Sequence, residues 1–593
     1  MKERIYKIFG REFRVKALKD VCNVIKSFTV AERVVFAIFA TIFVITGFFI
    51  IYRIDQYFMV EIPKHGGVLE EGVVGSPRFI NPVIPKSDTD RDISLLVYSG
   101  LMRTGTEGNL IPDLAEKYTV SDDGLSYVFN IKKDAKFHDG TPVTADDVIF
   151  TIQKVQDPII ESPKRASWKG VTAEKIDDLT VKFSMKMPYP LFIENTTLGI
   201  IPKNKWKDVS SEDFAFSQLN IEPIGSGPYK ITDIKRNSGG IPEYYELTSF
   251  KNFTLGEPYI KNIIFRIYPN EKARIDAYQS GSVDAISSVS PEIVNKIKSS
   301  SNVIEQYPLP RIFAVFFNQN QSPVLVNKEV RAALDAAVDK NKIISQILSG
   351  YGVPLDGPVP PGLLQFESLT GDIATTSDDQ TRIDNAKKIL TSAGWVQNKD
   401  GIMEKTVKKG TKKTTTQLSL SISTNDIPEL KETAKIIQSE WQAIGASVDL
   451  KIFETQDLKQ SIIIPRKYDA LLFGESVGRD LDLYGFWHSS QRDGTGLNFS
   501  MYTSIKSDKF LEDARATSDE IIRNSKYEAF NDEVKKDIPA VFLYSPDFIY
   551  IIPKTVKNFS MSHVVTSSER FLNVYKWFIE TDKVWKIFVP KTQ

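Results

Sequence analysis

Cysteine is nearly absent from this chain of 593 residues: Cys22 is the only one, so neither an internal disulfide framework nor a CxxC metal or redox motif can be built. Histidine is almost as scarce. The four, His65, His138, His488 and His563, are dispersed, with no HExxH and no pair at helical or strand spacing, so no metal site is expected. Neither sign of charge prevails, since 75 Lys and Arg face 75 Asp and Glu; the one-sided basic surface of a nucleic-acid binder is missing, and nucleic acid is not an expected partner. A Walker A pattern is missing too, so the chain does not itself hydrolyse ATP, and no cofactor is expected. Internal repeats and long low-complexity tracts are also lacking. The length exceeds what one hydrophobic core usually serves, which implies at least two packed domains.

Long apolar runs are equally rare, with one exception. Val34 to Tyr52, VVFAIFATIFVITGFFIIY, holds no charged residue over 19 positions. At ~1.5 Å per residue that crosses most of a bilayer's ~30 Å hydrocarbon core, so a transmembrane helix is expected at 34–52. The first 33 residues carry nine Lys or Arg against four Asp or Glu, which places 1–33 in the cytoplasm and the bulk of the chain outside, extracellular or periplasmic. A cleaved signal peptide competes with this reading. Its apolar region would be shorter and followed by small residues, whereas here Phe48-Phe49-Ile50-Ile51-Tyr52 runs straight into Arg53. Lipidation would need a cysteine just after the apolar stretch, and Cys22 precedes it. The basic piece Lys2 to Lys26 is read as a solvated flank that sets topology, its apolar spacing being too irregular for a lipid-surface helix. Residues 53–65 read as a tether, after which Gly66-Gly67-Val68-Leu69 begins a strand.

Beyond that point strands and helices alternate. Ile263 to Ile267 reads as a strand, Glu271 to Ser280 as a helix, Ala285-Ile286 as a strand and Pro291 to Lys298 as a helix. The second half repeats the rhythm: a helix over 329–348, a strand over 417–422, a helix over 429–444, and strands at 448–452 and 470–473. Lys405 to Thr416, rich in Lys and Thr around Gly410, looks like an exposed hairpin tip. Two α/β lobes follow.

The most informative stretch is Tyr127 to Val155, YVFNIKKDAKFHDGTPVTADDVIFTIQKV. Tyr127, Phe129 and Ile131 alternate with polar neighbours as in a half-buried strand, and Lys132-Lys133-Asp134 then makes a polar turn into Ala135 and Phe137, so a hairpin is expected. His138-Asp139-Gly140 is a turn tripeptide in which a packing or hydrogen-bonding role is expected of His138. Thr144 followed by Asp147 spells a capping box, opening a helix with Val148, Ile152 and Val155 on one face.

This stretch resembles the signature of the family 5 extracellular solute-binding proteins of bacterial transporters, which bind dipeptides, oligopeptides and nickel. Upstream, Gly100-Leu101, Pro112-Asp113-Leu114-Ala115-Glu116 and Asp123-Gly124 resemble the family's approach to the signature. Downstream, Gly225-Ser226-Gly227-Pro228-Tyr229, Ser280-Gly281-x-Val283-Asp284-Ala285, Phe317-Asn318, Val330-Arg331-x-Ala333-Leu334 and Ala393-Gly394-Trp395 follow in the family's order. The resemblance implies a two-lobed fold of the periplasmic-binding-protein (Venus flytrap) type, with an extra subdomain inserted in lobe I. It divides the chain into lobe I (66–96, 221–310 and 546–593), the inserted subdomain (97–220) and lobe II (311–545). It also implies capture of a small solute, foremost a peptide, for delivery to an ABC permease and its ATPase subunits. No enzymatic activity is implied, and the ectodomain is expected to be monomeric.

In the family's peptide binders an aspartate in a Trp-x-x-Asp arrangement after a second-lobe strand holds the ligand's amino terminus. This chain departs there, reading Gly474-Glu475-Ser476-Val477-Gly478-Arg479-Asp480-Leu481-Asp482, with Glu475 in the Trp place. Glu475, Asp480 or Asp482 could pair with a cation, and Arg479 with a carboxylate or phosphate. Tyr484 and Trp487 offer aromatic surface, and Phe317-Asn318 completes the candidate ligand contacts.

Two readings from other classes stand beside this one. The chain could be a ligand-sensing ectodomain that signals through its helix and basic tail. It could also be a serine hydrolase using Ser476, because Gly474-x-Ser476-x-Gly478 matches a nucleophile elbow with His488 or His563 downstream. That pattern arises by chance roughly 0.1 to 0.2 times in a chain this long, and it is poor support by itself.

Overall fold

The structure, a computed structural model, describes residues 23–105, 108–294, 296–297, 301–361, 363, 379–409, 412–479, 481–494, 496–561 and 564–589. They form two compact units, 23–64 with 580–589 and, separately, 65–579.

In the first unit, a helix runs over Val30–Phe58 with no buried side chain, opened by a capping box between Thr29 and Glu32. It is long and apolar enough to cross a membrane. The stretch 53–65 is not the tether its composition suggested. The helix continues to Phe58, and Met59–Lys64 then pairs antiparallel with Glu580–Trp585, from Met59 opposite Trp585 to Lys64 opposite Glu580. Residues 580–589, expected in lobe I, belong with this helix instead, because each strand supplies the other's backbone partners.

The second unit is organised by one long strand, Ala540–Pro553. Its first half pairs with Arg311–Phe317, and its second half with Asn302–Pro308 and Ala285–Ser287. Beyond Arg311–Phe317 lie Ala470–Ser476, Ser419–Asn425 and Ser447–Phe453; beyond Ala285–Ser287 lie Gly66–Val74, Ile260–Tyr268, Pro242–Ser249 and Tyr229–Arg236. Each half contains two parallel pairs among its antiparallel ones, and the crossover Pro428–Ala443 joins one of them, Ser419–Asn425 and Ser447–Phe453. Two lobes thus share one strand, and the chain passes between them at Leu309–Pro310 and at Ser545–Pro546. The two passages are joined: Leu309 N–H donates to Pro546 O at 3.0 Å, and the Ser545 hydroxyl donates to Leu309 O.

The signature strand Ser126–Ile131 buries Tyr127, Phe129 and Ile131 as its alternation requires. Its partners, however, are Ala115–Val120 and Thr180–Ser184. Ala135 to Phe137 makes a turn closed by the single bridge Lys136↔Pro142, so the expected hairpin is replaced by a four-stranded antiparallel sheet that Thr172–Asp177 completes. The helix Ala145–Gln156 buries Val148, Ile152 and Val155. At its start the Asp147 carboxylate accepts from the Thr144 N–H (2.9 Å) and hydroxyl (2.8 Å).

Two helices end earlier than periodicity suggests. The expected helix over 329–348 is two, Lys328–Ala337 and Lys340–Ile347, because Val338 is extended and the Asp339 carboxylate caps the Lys342 N–H at 2.9 Å. The expected 291–298 helix covers only Pro291–Val294 among the described residues. The hairpin at 405–416 is present, formed by Met403–Lys409 and Lys412–Gln417.

Candidate ligand-binding cleft

The helix Asp88–Val97 is the element on which the cleft is built. Ser87 and Asp90 cap it reciprocally, and Ile93, Leu96 and Val97 are fully buried. Arg91, Ser94, Leu95 and Tyr98 fall on its other face, at the spacing that stacks side chains along one side of a helix. They line a cavity of about 400 Å³.

Two groups of residues fix this helix. Behind it, Asp92 receives both guanidinium nitrogens of the fully buried Arg570 at 2.9 and 2.7 Å. Arg570 also reaches Glu71 at 3.0 Å, and Glu71 accepts from the Tyr550 hydroxyl at 2.9 Å. One guanidinium serves two carboxylates there, and burial pushes the Glu71 carboxyl above its ordinary value. At the helix's C-terminal end lies Gly225-Ser226-Gly227. A Cβ on Gly225 would sit 2.0 Å from Val97 O, and one on Gly227 2.5 Å from Leu96 O, so only glycine lets the backbones meet. His138 of the signature holds this run. Its backbone N–H donates to Gly225 O (2.7 Å), its Nδ1 accepts from the Gly225 N–H (3.4 Å), and Nε2–H donates to Gly227 O (3.0 Å). Burial depresses the His138 pKa to about 4, so the ring is neutral at physiological pH, as this tautomer requires. The signature therefore supports the cleft from behind and does not enter it.

The cavity is shared between the lobes. Lobe I contributes the helix face, Lys164, Trp168, Glu194 and Glu569, and the second lobe contributes Gly478 and Arg479. Arg479 Nη2 meets Glu569 Oε2 at 2.5 Å, with both side chains mostly buried, and Glu569 also accepts from the Val565 N–H at 2.7 Å. Burial raises the Glu569 carboxyl, and the guanidinium opposes that. Arg103, at one wall, is already committed, to Asp113 at 2.8 Å and Leu572 O at 3.1 Å. Ser94 Oγ and Tyr98 OH, by contrast, are buried without a hydrogen-bond partner among the described residues. A hydroxyl left so costs about 1–3 kcal/mol. Burial also pushes the Tyr98 phenol upward, so it stays a donor.

Of the residues expected to contact ligand, Arg479 alone lines this cavity. Asp480 lies outside the described residues. Phe317, Trp487 and Asn318 must be corrected, since all three are core residues. Phe317 stacks near Trp441, Trp487 packs among Phe316, Tyr502, Phe530 and Phe542, and the Asn318 side chain donates to Arg466 O at 2.9 Å. Asp482 pairs with Arg515 at 2.9 Å, and Arg515 lies 4.6 Å above the Tyr484 ring, which also stacks on His488. Glu475 is 3% exposed with neither carboxyl oxygen partnered, and burial pushes its pKa well above the ordinary range. Burial of this kind favours the neutral form of the acid. Ser476 ends the strand opposite Arg311; His488 Nδ1 lies 2.8 Å from the Ser490 hydroxyl, and His563 lies outside the described residues.

Arg91, Ser94, Tyr98, Trp168 and Glu569 went unpredicted. For the first three one signal was available: the Ser87/Asp90 capping box marks a helix in which Arg91, Ser94 and Tyr98 oppose Ile93, Leu96 and Val97.

The profile of the bacterial extracellular solute-binding proteins, family 5, matches residues 109–496, more than half of the chain. The chain belongs to this family. It is accordingly an extracellular solute-binding protein of bacterial type. It is 28% identical over 525 residues to the oligopeptide-binding protein AppA of Bacillus subtilis, covering 87% of this chain and 92% of that protein. The structure of AppA in complex with a nonapeptide superposes with a TM-score of 0.65 at 27% identity, covering 88% of this chain and all of AppA. The ABC transporter substrate-binding protein CtaP of Listeria monocytogenes gives a TM-score of 0.71 at 28% identity, over 87% of this family 5 chain and 100% of CtaP. NikZ of Campylobacter jejuni, in complex with Ni(L-His), gives 0.66 at 27% identity, over 87% and 100% respectively.

Proposed function

We propose that this family 5 protein captures a short peptide between its lobes and hands it to an ABC-type permease, without altering it covalently. The observation that carries this reading is the cavity with Arg479 on one lobe, Glu569 on the other, and the helix face of Arg91, Ser94, Leu95 and Tyr98 on its wall. Peptide is favoured because AppA is described as an oligopeptide-binding protein and was seen with a nonapeptide. About 400 Å³ lies at the low end of the ~300–1,000 Å³ typical of ligand pockets, which favours a short peptide. The two passages at Leu309–Pro310 and Ser545–Pro546 form the hinge on which the lobes close.

The apolar helix anchors the protein, with 34–52 spanning the membrane, 1–33 cytoplasmic and the monomeric ectodomain outside. Residues 97–220 form a subdomain inserted in lobe I, and 311–545 make up lobe II. Thermal-shift measurements on the full chain in detergent with di-, tri- and longer peptide pools test the ligand class. A peptide at 100 times its dissociation constant adds about 2.7 kcal/mol to folded-state stability. A melting temperature that rises with short peptides supports the proposal, and one that rises only with a nickel–histidine chelate or a sugar refutes it.

A further inference from the structure

The two-stranded sheet beside the apolar helix has no buried residue among the described residues. Glu580–Trp585 runs antiparallel to Met59–Lys64, so its last residue, Trp585, sits opposite Met59 and directly beside the helix end at Phe58. The Trp585 indole N–H donates to the Asp55 carboxylate at 2.8 Å, and the ring lies 6.3 Å from Phe58. The C-terminal chain is thus aimed back along the helix. A short turn, Lys586–Phe588, follows, with Ile587 and Phe588 76% and 73% exposed.

The position of this patch relative to a bilayer follows from the helix. Its 29 residues extend ~44 Å, more than the ~30 Å hydrocarbon core and close to the ~40–45 Å that includes the headgroups. Charge resumes at Arg53 and Asp55, which marks where hydrocarbon ends and headgroups begin. Tyr57, Phe58 and Trp585 then lie at headgroup depth, where aromatic rings with one polar edge are favoured, and Lys586 adds a cation suited to anionic lipid. A six-residue, two-stranded sheet is marginal in water by itself, and no residue of either strand is buried.

We propose that Trp585 to Val589 is a second membrane contact, an interfacial foot that inserts Ile587 and Phe588 into the outer face of the lipid bilayer and holds the C-terminal strand against the anchor. This rests on the reading of 34–52 as a membrane span. The test uses the full chain with Cys22→Ser, carrying Phe588→Cys, Phe43→Cys or Phe216→Cys labelled with nitrobenzoxadiazole, in phosphatidylcholine/phosphatidylglycerol vesicles containing shallow or deep nitroxide lipids. The label at 588 is expected to shift to the blue and to be quenched several-fold more by shallow than by deep nitroxides, with 43 quenched preferentially by deep ones and 216 by neither. If 43 is quenched and 588 behaves like 216, the foot is refuted while the anchor stands; if 43 is also unquenched, the anchor reading itself fails. Protection of 588 that appears only when a permease is added also refutes the lipid contact. As a second readout, Ile587→Ser with Phe588→Ser should speed amide exchange in 580–585 about tenfold on vesicles, and unchanged exchange overturns the proposal.

Discussion

Arg570 and Glu569 stand side by side in the chain and each makes an ion pair, but one pair is sealed inside a lobe and the other joins two lobes. Arg570 is wholly buried, and its guanidinium answers Glu71 and Asp92 together. Glu569 points the opposite way, across the cavity, to Arg479. The difference lies in surroundings and not in residue type. A sealed pair cannot exchange its partner for water, so losing one member strands a buried charge, whereas both members of a pair between two lobes regain water when the lobes part. The first holds the cleft wall still; the second can signal whether the cleft is shut.

That contrast can be broken by substitution. Arg570→Met should cost about 3–5 kcal/mol in denaturant unfolding, since Glu71 and Asp92 lose their shared cation; a loss under ~1 kcal/mol would show that water reaches the site. Gly225→Ala attacks the same wall from outside the ion pairs. With a Cβ 2.0 Å from Val97 O, it should cost about 1–3 kcal/mol and weaken ligand binding by displacing the helix that carries Ser94 and Tyr98, as read by unfolding and calorimetry.

Glu475 sharpens the comparison, being buried with no cation at all. Its folded-state pKa is raised, so the unfolded chain releases this proton at lower pH than the folded one does. Stability is therefore whole below the unfolded value of ~4.3 and declines as pH rises toward the folded value. Glu475→Gln should be more stable than the parent at pH 8 and equal to it near pH 4; the same difference at both would mean the carboxyl is not the cause. At the small end, Glu569→Gln should change unfolding stability by no more than ~1 kcal/mol while enlarging the radius of gyration of the unliganded protein in solution scattering. An unaltered scattering profile would remove Arg479–Glu569 as a closing contact.

Much of the local structure was legible. The alternation of Tyr127, Phe129 and Ile131 and the Thr144/Asp147 pair each rest on forces within a few residues, and both are found. The hairpin expected after Ile131 failed because strand partners are chosen by the whole sheet, here from 115–120 and 180–184. Phe317 and Trp487 were misplaced for a related reason: aromatic side chains suit a ligand face and a core equally, and burial decides.

What the sequence determined by itself was the apolar helix, the alternation of α and β, and a run of motifs that placed the chain in its family, since periodicity and turn chemistry act over short range. Only the tertiary structure decided which polar faces meet. Ser94 with Tyr98, Arg479 and Glu569 come from three separate chain segments, and nothing local to any of them records that the lobes bring them to one cavity.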